Sequence, residues 1–345
     1  MKHLFFDDYS EGAHPAILEH IMNNNNGQER GYGYDSYSQK AENLIRKEIS
    51  STNADVYFLP NGTQINFTVI AAMLRSHEGV IAPTSAHINV HECGAIEATG
   101  HKIIAIESAN GKLTPAHVEQ AFAKHHDEHT VKPKVVYLTQ ATETGTTYSL
   151  TEFEDVANYA RSKGLLVYLD GARLAMAIAN EKNGITLKDI TRLVDAFYIG
   201  GTKNGGMYGE AVVIINPELQ KDFRYHIKQR GGLMAKGRFI ALQFERFFGK
   251  DQLWFELGKL VNQKAQKLYQ GLVKVGIEFE NAPNGNQLFP ILNNKLITEL
   301  QKEYGFYVWQ NGSERSTCRL TCSWATPDTA INDFIQDTRN LINKL

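Results

Sequence analysis

The stretch GGTKNGG, residues 200–206, follows directly on the apolar run VDAFYI, residues 194–199. The apolar run predicts a buried strand, and the glycines predict a turn that places Lys203 at the strand's carboxyl end. Ligands of α/β proteins bind at the carboxyl ends of strands. A lysine that is desolvated there forms Schiff bases with carbonyl compounds. A solvated turn of the same composition is the alternative interpretation.

A second strand end upstream also carries a charged residue. The apolar run LLVYL, residues 165–169, is followed by the motif DGAR, which begins with Asp170. Pyridoxal phosphate chemistry needs a lysine and a carboxylate, because the carboxylate keeps the ring nitrogen protonated and the ring an electron sink. Asp170 is the candidate for that carboxylate. Its alternative role is an N-cap of the helix that follows.

Two further strand ends carry groups that suit such a cofactor. Gly62 and Thr63 lie in LPNGTQ, residues 59–64, where backbone N–H groups and a helix dipole predict a phosphate site. His87 follows the apolar residues 80–82, and its imidazole can stack on a flat ring or transfer a proton. A lone histidine is also often a structural hydrogen-bonding residue. The four strand ends together predict a pyridoxal phosphate site.

These motifs resemble the threonine aldolase family, within the aspartate-aminotransferase-like (fold type I) pyridoxal phosphate enzymes. The similarity is to the branch that contains the low-specificity L-threonine aldolases and the phenylserine aldolases. It runs in order from Phe6 to the C-terminus. The motifs that carry it are NGT at 61–63, SAHI at 85–88, DGAR at 170–173 and TK at 202–203, with GYG at 31–33, HECGA at 91–95, TQATE at 139–143 and AKGRF at 235–239.

The resemblance implies a role for each cofactor candidate. Lys203 would carry the cofactor, and Asp170 would contact its pyridine nitrogen. His87 would stack on the cofactor ring. Gly62 and Thr63 would form part of the phosphate cradle.

The resemblance also implies how substrate and subunits are arranged. Arg173 and Arg319 would bind the substrate carboxylate, because a guanidinium pairs with a carboxylate through two hydrogen bonds. For Arg319, a surface position on a strand is the alternative. Lys236 would bind the cofactor phosphate across a subunit boundary. A homodimer or homotetramer with active sites at the subunit interface is therefore implied.

The sequence departs from the family pattern in two places. Residues 6–9 read FDDY, with Asp7 where the family usually has a serine near the substrate carboxylate. If Asp7 points inward, it would repel that carboxylate. Residues 140–144 read QATET, without the histidine that many relatives place near the substrate hydroxyl. Either Glu143 or His87 must then supply the catalytic base.

The alternation of apolar runs and helical patterns predicts an α/β fold with a mostly parallel seven-stranded sheet. The predicted domains are an N-terminal arm at 1–13, a large cofactor-binding domain at 14–249 and a small C-terminal α+β domain at 250–345. The strand candidates of the sheet begin or lie at Val56, Val80, Lys102 to Ile106, Lys134 to Leu138, Leu165, Val194 and Ala211. Helices are predicted over 15–22, 217–230, 238–248, 251–275 and 326–345, and further strands over 287–292 and 317–323.

The composition argues against several classes of partner. The 345 residues carry a formal net charge of −2, which gives no electrostatic basis for binding nucleic acid or an anionic membrane. No apolar stretch approaches the roughly 20 residues of a spanning helix, and we predict a cytoplasmic protein. Three cysteines are too few and odd in number for a disulfide framework. We predict no metal site.

The predicted function is pyridoxal-phosphate-dependent retro-aldol cleavage of L-β-hydroxy-α-amino acids to glycine and an aldehyde. Threonine, allo-threonine and phenylserine are the candidate substrates. A β-eliminating lyase or an aminotransferase of the same fold would share Lys203 and Asp170 while breaking a different bond. A catalytically silent pyridoxal-phosphate-binding or regulatory protein is the alternative of another class.

Overall fold

The structure is a computed structural model that describes residues 1–344. Its strands alternate with helices over most of the chain. In chain order the strands are β1 (His3–Leu4), β2 (Asp55–Leu59), β3 (Glu78–Pro83), β4 (Lys102–Ile106), β5 (Lys132–Thr139), β6 (Leu166–Asp170), β7 (Ala196–Gly200), β8 (Glu210–Ile214), β9 (Glu278–Phe279), β10 (Gln287–Leu288), β11 (Pro290–Asn293), β12 (Tyr304–Gly305), β13 (Tyr307–Gln310) and β14 (Arg315–Thr321).

The α-helices cover both faces of the seven-stranded main sheet, and the last of these helices is the last element of the chain. In chain order they are α1 (Pro15–Asn23), α2 (Ser36–Glu48), α3 (Gly62–Met73), α4 (His87–Val90), α5 (Pro115–Lys124), α6 (Leu150–Ser162), α7 (Leu174–Ala179), α8 (Leu187–Leu193), α9 (Pro217–Gln220), α10 (Phe223–Gln229), α11 (Arg238–Phe247), α12 (Leu253–Lys274), α13 (Asn294–Leu300) and α14 (Asp328–Ile342).

The predicted seven-stranded sheet is confirmed, with the strand order β2-β8-β7-β6-β5-β3-β4. Only β8 runs antiparallel to its neighbours, β2 and β7, within this sheet. All five residues of β7 and of β8 are buried, as expected for strands covered on both faces. One large apolar cluster packs on each face of the sheet.

The carboxyl edge of this sheet gathers the predicted site residues. His87 follows β3, Glu143 follows β5, and Asp170 is the last residue of β6. Lys203 follows β7, and Gly62 begins the helix after β2. Because parallel strands end at the same edge, residues distant in sequence meet there.

A second sheet lies in the C-terminal part, with the order β10-β14-β11-β9 and β13 paired to β14. The N-terminal arm joins this part, since β1 pairs with β12 in parallel. Phe5 is fully buried in the apolar cluster of this region. The arm thereby places Asp7 and Asp8 beside the carboxyl edge of the main sheet.

Three boundary predictions are wrong. The helix predicted over 217–230 is two helices, α9 and α10, because the backbone of Asp222 takes a left-handed conformation between them. The strand predicted over 287–292 is split into β10 and β11 at Phe289. The closing helix, predicted over 326–345, is α14, which ends at Ile342; Leu345 lies outside the described residues.

None of the helices within residues 1–344 is long and apolar enough to cross a membrane. The cytoplasmic location stays a prediction. The same residues contain no group of three or more His, Cys, Asp and Glu side chains with the geometry of a metal site.

Candidate active site

Lys203 lies in a short 3₁₀ turn, Thr202–Asn204, directly after β7. Desolvation, together with the nearby guanidinium of Arg173, lowers the pKa of Lys203 below its usual value. A lower pKa leaves more of the unprotonated amine that attacks a carbonyl carbon. The four glycines and Asn204 of residues 200–206 are buried and Lys203 lines a cavity, so the interpretation of this stretch as a solvated turn is wrong.

Glu210 is a buried acid beneath the Lys203 turn. Its Oε2 accepts hydrogen bonds from the backbone N–H groups of Gly201 at 2.5 Å and Thr202 at 3.2 Å. Burial raises the pKa of Glu210 to about 7, although these hydrogen bonds and the ammonium of Lys203 act in the opposite direction. The carboxyl group ties β8 to the turn that carries Lys203.

Asp170 is a buried carboxylate that accepts four hydrogen bonds. Its Oδ1 accepts from the Tyr198 hydroxyl at 2.6 Å and from the backbone N–H of Ala172 at 3.0 Å. Its Oδ2 accepts from the Tyr137 hydroxyl at 2.7 Å and from Nδ2 of Asn66 at 3.0 Å. The N-cap of α7 is Arg173, so the alternative of Asp170 as a helix cap is wrong. These donors hold the carboxylate rigidly at the strand end.

His87 is held by a buried acid that the motif analysis missed. Its Nδ1 lies 2.7 Å from Oε1 of Glu92, and the same oxygen accepts a hydrogen bond from Nδ2 of Asn66 at 2.7 Å. Asn66 therefore bridges Glu92 and Asp170. Burial opposes protonation of His87, but the Glu92 hydrogen bond and the carboxylates of Glu143 and Asp170 raise the pKa of His87 above its usual value.

Arg173 forms a buried ion pair with Asp8. Its Nε donates to Oδ2 of Asp8 at 2.7 Å and its Nη2 donates to Oδ1 at 3.2 Å. Nδ2 of Asn286 donates to the same carboxylate at 2.8 Å. Burial alone would raise the pKa of Asp8, but Arg173 and Lys203 outweigh it and lower that pKa below its usual value.

Arg319 lies against two aromatic rings of the C-terminal part. Its guanidinium carbon is 4.8 Å from the ring centroid of Tyr307 and 4.9 Å from that of Trp309. Its Nη2 donates to Oδ1 of Asp7 at 3.4 Å and to the carbonyl of Phe6 at 3.3 Å. The side chain is only 11% exposed, so the alternative of a surface strand residue is wrong.

One cavity of about 490 Å³ brings most of these groups together. Asp170 lies close enough to it to act electrostatically on both Lys203 and His87. The residues that line the cavity are Asp7, Tyr9, His87, His91, Glu143, Arg173, Lys203, Tyr307, Val308, Trp309 and Arg319. The cavity thus combines an amine, two guanidinium groups, two imidazoles and two carboxylates.

The turn at Gly62 and Thr63 lies next to Asp170. Asn61 is the N-cap of α3, and its side chain accepts a hydrogen bond from the backbone N–H of Gln64 at 2.8 Å. A Cβ atom on Gly62 would lie 2.9 Å from the hydroxyl oxygen of Tyr198, which donates to Asp170. Glycine at position 62 therefore allows the helix to begin beside the buried carboxylate.

Lys236 does not join the other predicted residues in this chain. It lines a separate cavity with Gly31, Asp35 and Arg238, among other residues. Among the residues that the structure describes, the cavity around Lys203 contains no contribution from this segment.

Residues 5–295 match the family described as beta-eliminating lyases. The chain belongs to that family. A low-specificity L-threonine aldolase of a Pseudomonas species is 32% identical over 98% of this chain and 97% of its own length. The solved structure of a Leishmania major threonine aldolase shares 44% identity, covers 99% of both chains and superposes with a TM-score of 0.97. The predicted family is confirmed.

The fold of this lyase is also that of aminotransferases. An aspartate aminotransferase from Thermus thermophilus superposes with a TM-score of 0.73 over 99% of this chain and 91% of its own, at 11% identity. At that identity the likeness concerns the fold alone. It confirms the predicted aspartate-aminotransferase-like architecture.

Members of this lyase family depend on pyridoxal phosphate, and the residues here fit that cofactor. Lys203 offers an amine with a lowered pKa, and Asp170 offers a carboxylate fixed by four donors. The turn at Gly62 offers a helix N-terminus with no room for a side chain. An amine, a carboxylate and an anion site are the three groups that this cofactor needs.

Sequence reasoning missed several residues of the lyase site. The sequence does not show that Asp8, rather than its neighbour Asp7, pairs with Arg173, and no local feature links Asn66 in α3 to Asp170. Glu92 lies in the motif HECGA, five residues after His87. This short spacing is the sequence feature that could have predicted its contact with His87. His91, with its ring centroid 5.5 Å from that of His87, belongs to the same motif.

The buried acid predicts a pH effect on stability. Glu210 keeps its proton to about pH 7 in the folded lyase but loses it near 4.5 when unfolded. Between these values the folded state binds more protons, so the free energy of unfolding falls as the pH rises. Between pH 4.5 and about pH 7 this fall in the free energy of unfolding amounts to about 3 kcal/mol. It should be absent in Glu210→Gln, because glutamine does not titrate.

Urea unfolding of the cofactor-free wild type and Glu210→Gln at pH 5 and pH 8 checks this expectation. The exposed Glu218→Gln serves as the matched control and should follow the wild type. Equal pH dependence in wild type and Glu210→Gln would contradict the assignment.

The Glu92 contact predicts a change in the titration of His87. Glu92→Gln keeps an oxygen for the Nδ1 hydrogen bond but removes the negative charge, so the pKa of His87 should fall. Titration of the His87 ring protons by NMR measures this directly, with the exposed Glu97→Gln as control. An unchanged titration would mean that Glu92 only packs against the ring.

Proposed function

We propose that this chain cleaves L-β-hydroxy-α-amino acids to glycine and an aldehyde, with pyridoxal phosphate as cofactor. The observation that carries the proposal is the 44% identity to a Leishmania major threonine aldolase over 99% of both chains. The cavity supports it, because it combines a cofactor lysine with two arginines and groups that can accept a proton.

Each cofactor-binding residue has a proposed contact. Lys203 would attach the cofactor covalently, Asp170 would contact its ring nitrogen, and His87 would stack on its ring. Gly62 and Thr63 would bind its phosphate through the N-terminus of α3. When bound, pyridoxal phosphate accepts the electrons of the broken Cα–Cβ bond into its ring.

The protein's own residues would orient the substrate and move its protons. Arg319 and Arg173 would bind the substrate carboxylate, and this binding would fix which bond at Cα is cleaved. Two groups in the cavity can accept the proton of the β-hydroxyl, Glu143 and Nε2 of His87. Nδ1 of His87 faces Glu92, which leaves Nε2 as its free nitrogen.

The assembly is proposed to be a homodimer or homotetramer with active sites at the subunit interface. Lys236 lines a cavity apart from Lys203, so its proposed phosphate contact would be made in a neighbouring subunit. The exposed rings of Tyr32 and Tyr34 lie nearby and stack on cationic side chains, as is common at interfaces. Analytical ultracentrifugation of the purified protein should show the mass of two or four chains; a monomer would exclude this arrangement.

The domain division at residues 14–249 and 250–345 is likewise proposed. The seven-stranded sheet lies entirely in the first range, and β9 to β14 lie in the second. The arm at 1–13 would contribute Asp7 and Asp8 to the site while pairing with β12.

Substrate assays on the cofactor-loaded protein test the function. L-Threonine, L-allo-threonine and L-phenylserine are supplied separately, and glycine and aldehyde are measured. Release of both products from any of the three supports the aldolase. Ammonia with a keto acid would indicate β-elimination, and a new amino acid from an added keto acid would indicate an aminotransferase. Cofactor binding without turnover of any amino acid would indicate the silent protein.

A further inference from the structure

We propose that Asp7 is an internal carboxylate that competes with the substrate for Arg319 and so sets the affinity of the site for amino acids. The proposal rests on the proposed function, because it takes Arg319 as the residue that binds the substrate carboxylate. It assigns Asp7 a role in specificity.

The two arginines of the cavity are not equivalent. Arg173 donates two hydrogen bonds to Asp8, and both side chains are almost completely buried. Asn286 holds the same carboxylate from its other side. This pair is rigid, and Asp8 already neutralises the charge of Arg173. Arg319 is therefore the guanidinium that has charge and donors available for a ligand.

Arg319 is held in place without being fully hydrogen-bonded. Its guanidinium group lies against the rings of Tyr307 and Trp309. Its hydrogen bonds within the protein are long, at 3.3 Å to the carbonyl of Phe6 and 3.4 Å to Asp7. Its buried Nε has no hydrogen-bond partner among the described residues. An unpaired buried donor is unfavourable, and a ligand carboxylate would satisfy Nε and Nη2 together.

Asp7 is placed to occupy the position that a ligand carboxylate would take beside Arg319. Its side chain is 14% exposed and lines the same cavity, with Oδ1 at 3.4 Å from Nη2 of Arg319. The backbone around it is fixed, because Thr321 donates to the carbonyl of Phe5 at 2.9 Å and Asp8 is locked to Arg173. The Asp7 side chain can therefore give way to a ligand while its backbone stays in place.

Two carboxylates cannot share one guanidinium without repulsion. A substrate carboxylate must therefore displace the Asp7 side chain from Arg319. Breaking the Asp7–Arg319 contact costs free energy, and this cost weakens the binding of every amino acid that carries a carboxylate. An amine without a carboxylate does not meet this competition.

Glycine titrations of the cofactor-loaded protein test the proposal. Binding is followed by calorimetry and by the absorbance of the cofactor in wild type, Asp7→Asn, Arg319→Gln and the double variant. Asp7→Asn should lower the Kd of glycine about fivefold, the effect of removing one weak ion pair. The same substitution should change the Kd much less when Arg319 is already glutamine, as a double-mutant cycle reports.

Two controls define the source of the effect. Ethanolamine, an amine without a carboxylate, should bind wild type and Asp7→Asn equally. Asp127→Asn makes the same change at an exposed position and should leave the glycine Kd as in wild type. Asp7→Ser is the second variant in case Asp7→Asn folds poorly, and it should shift the glycine Kd in the same direction.

Several results would overturn the proposal. A glycine Kd that rises or stays constant in both Asp7 variants would show that Asp7 supports the site rather than competing for Arg319. An equal fall in Kd with and without Arg319 would show that Asp7 acts on another group. Glycine binding requires no cleavage of a Cα–Cβ bond, so loss of aldehyde production with the expected glycine pattern would contradict the proposed function alone.

Discussion

Replacement of Lys203 by alanine is expected to abolish aldehyde release, with kcat lower by more than about 10³-fold. Lys203 is the only lysine among the described residues that line the cavity. Its pKa is lowered by desolvation and by Arg173, which prepares the amine for attack on a carbonyl carbon. No other side chain of the cavity offers such an amine. The absorbance band of covalently attached cofactor should be lost as well.

The fold itself should tolerate the Lys203 substitution. The lowered pKa means that the folded chain disfavours the Lys203 ammonium, so its removal should not reduce the thermal stability of the cofactor-free protein. Lys250→Ala, at an exposed position, is the matched control and should retain wild-type kcat. Wild-type turnover by Lys203→Ala would exclude Lys203 as the cofactor lysine.

Replacement of Asp170 by asparagine should lower kcat by about 10²-fold or more, because the charge facing the cofactor's ring nitrogen is removed. The substitution should also destabilise the protein by about 1–3 kcal/mol. Each Asp170 oxygen accepts from one tyrosine hydroxyl and from one N–H, in Ala172 or in Asn66. The backbone N–H of Ala172 cannot reverse its role, and a flipped Asn66 amide would turn its oxygen toward the carboxyl group of Glu92. In either orientation, the NH2 group of the new asparagine side chain would therefore face an N–H donor, of Ala172 or of Asn66, instead of an acceptor.

The control for this prediction separates charge from hydrogen bonding. Tyr137→Phe removes one donor to Asp170 but keeps the carboxylate, so it should reduce kcat much less than Asp170→Asn. The kcat values with L-threonine and the thermal unfolding of the three proteins provide the comparison. Equal loss of kcat in the two variants would mean that the charge of Asp170 is not what the reaction uses.

The sequence was sufficient for the large sheet and for the groups at its carboxyl edge. Apolar runs separated by helical patterns locate β2 to β8 closely, since each of these strands contributes buried apolar residues to the core. The boundary errors have local causes that composition does not express. The positive φ of Asp222 divides one predicted helix, and β10 and β11 are separate strands that both pair with β14.

The partners of the site residues were beyond the reach of sequence reasoning. Asp8 meets Arg173 across 165 residues of chain, and Asn66 meets Asp170 across 104. Such pairs depend on how the N-terminal arm joins the C-terminal part and how α3 packs on the sheet. Nothing in the local pattern around either residue encodes those arrangements.

The amino-acid sequence alone therefore settled which chemical groups this protein has and at which strand ends they stand. That information is local, because a short run of neighbouring residues determines where a buried strand ends and where a glycine turn follows it. Only the tertiary structure decided that Arg173 is held by Asp8 through two hydrogen bonds, while Arg319 faces Asp7 and keeps a buried Nε without a partner among the described residues. Charge pairing depends on distances between residues far apart in the chain, and those distances exist only after the sheet and the N-terminal arm have packed together.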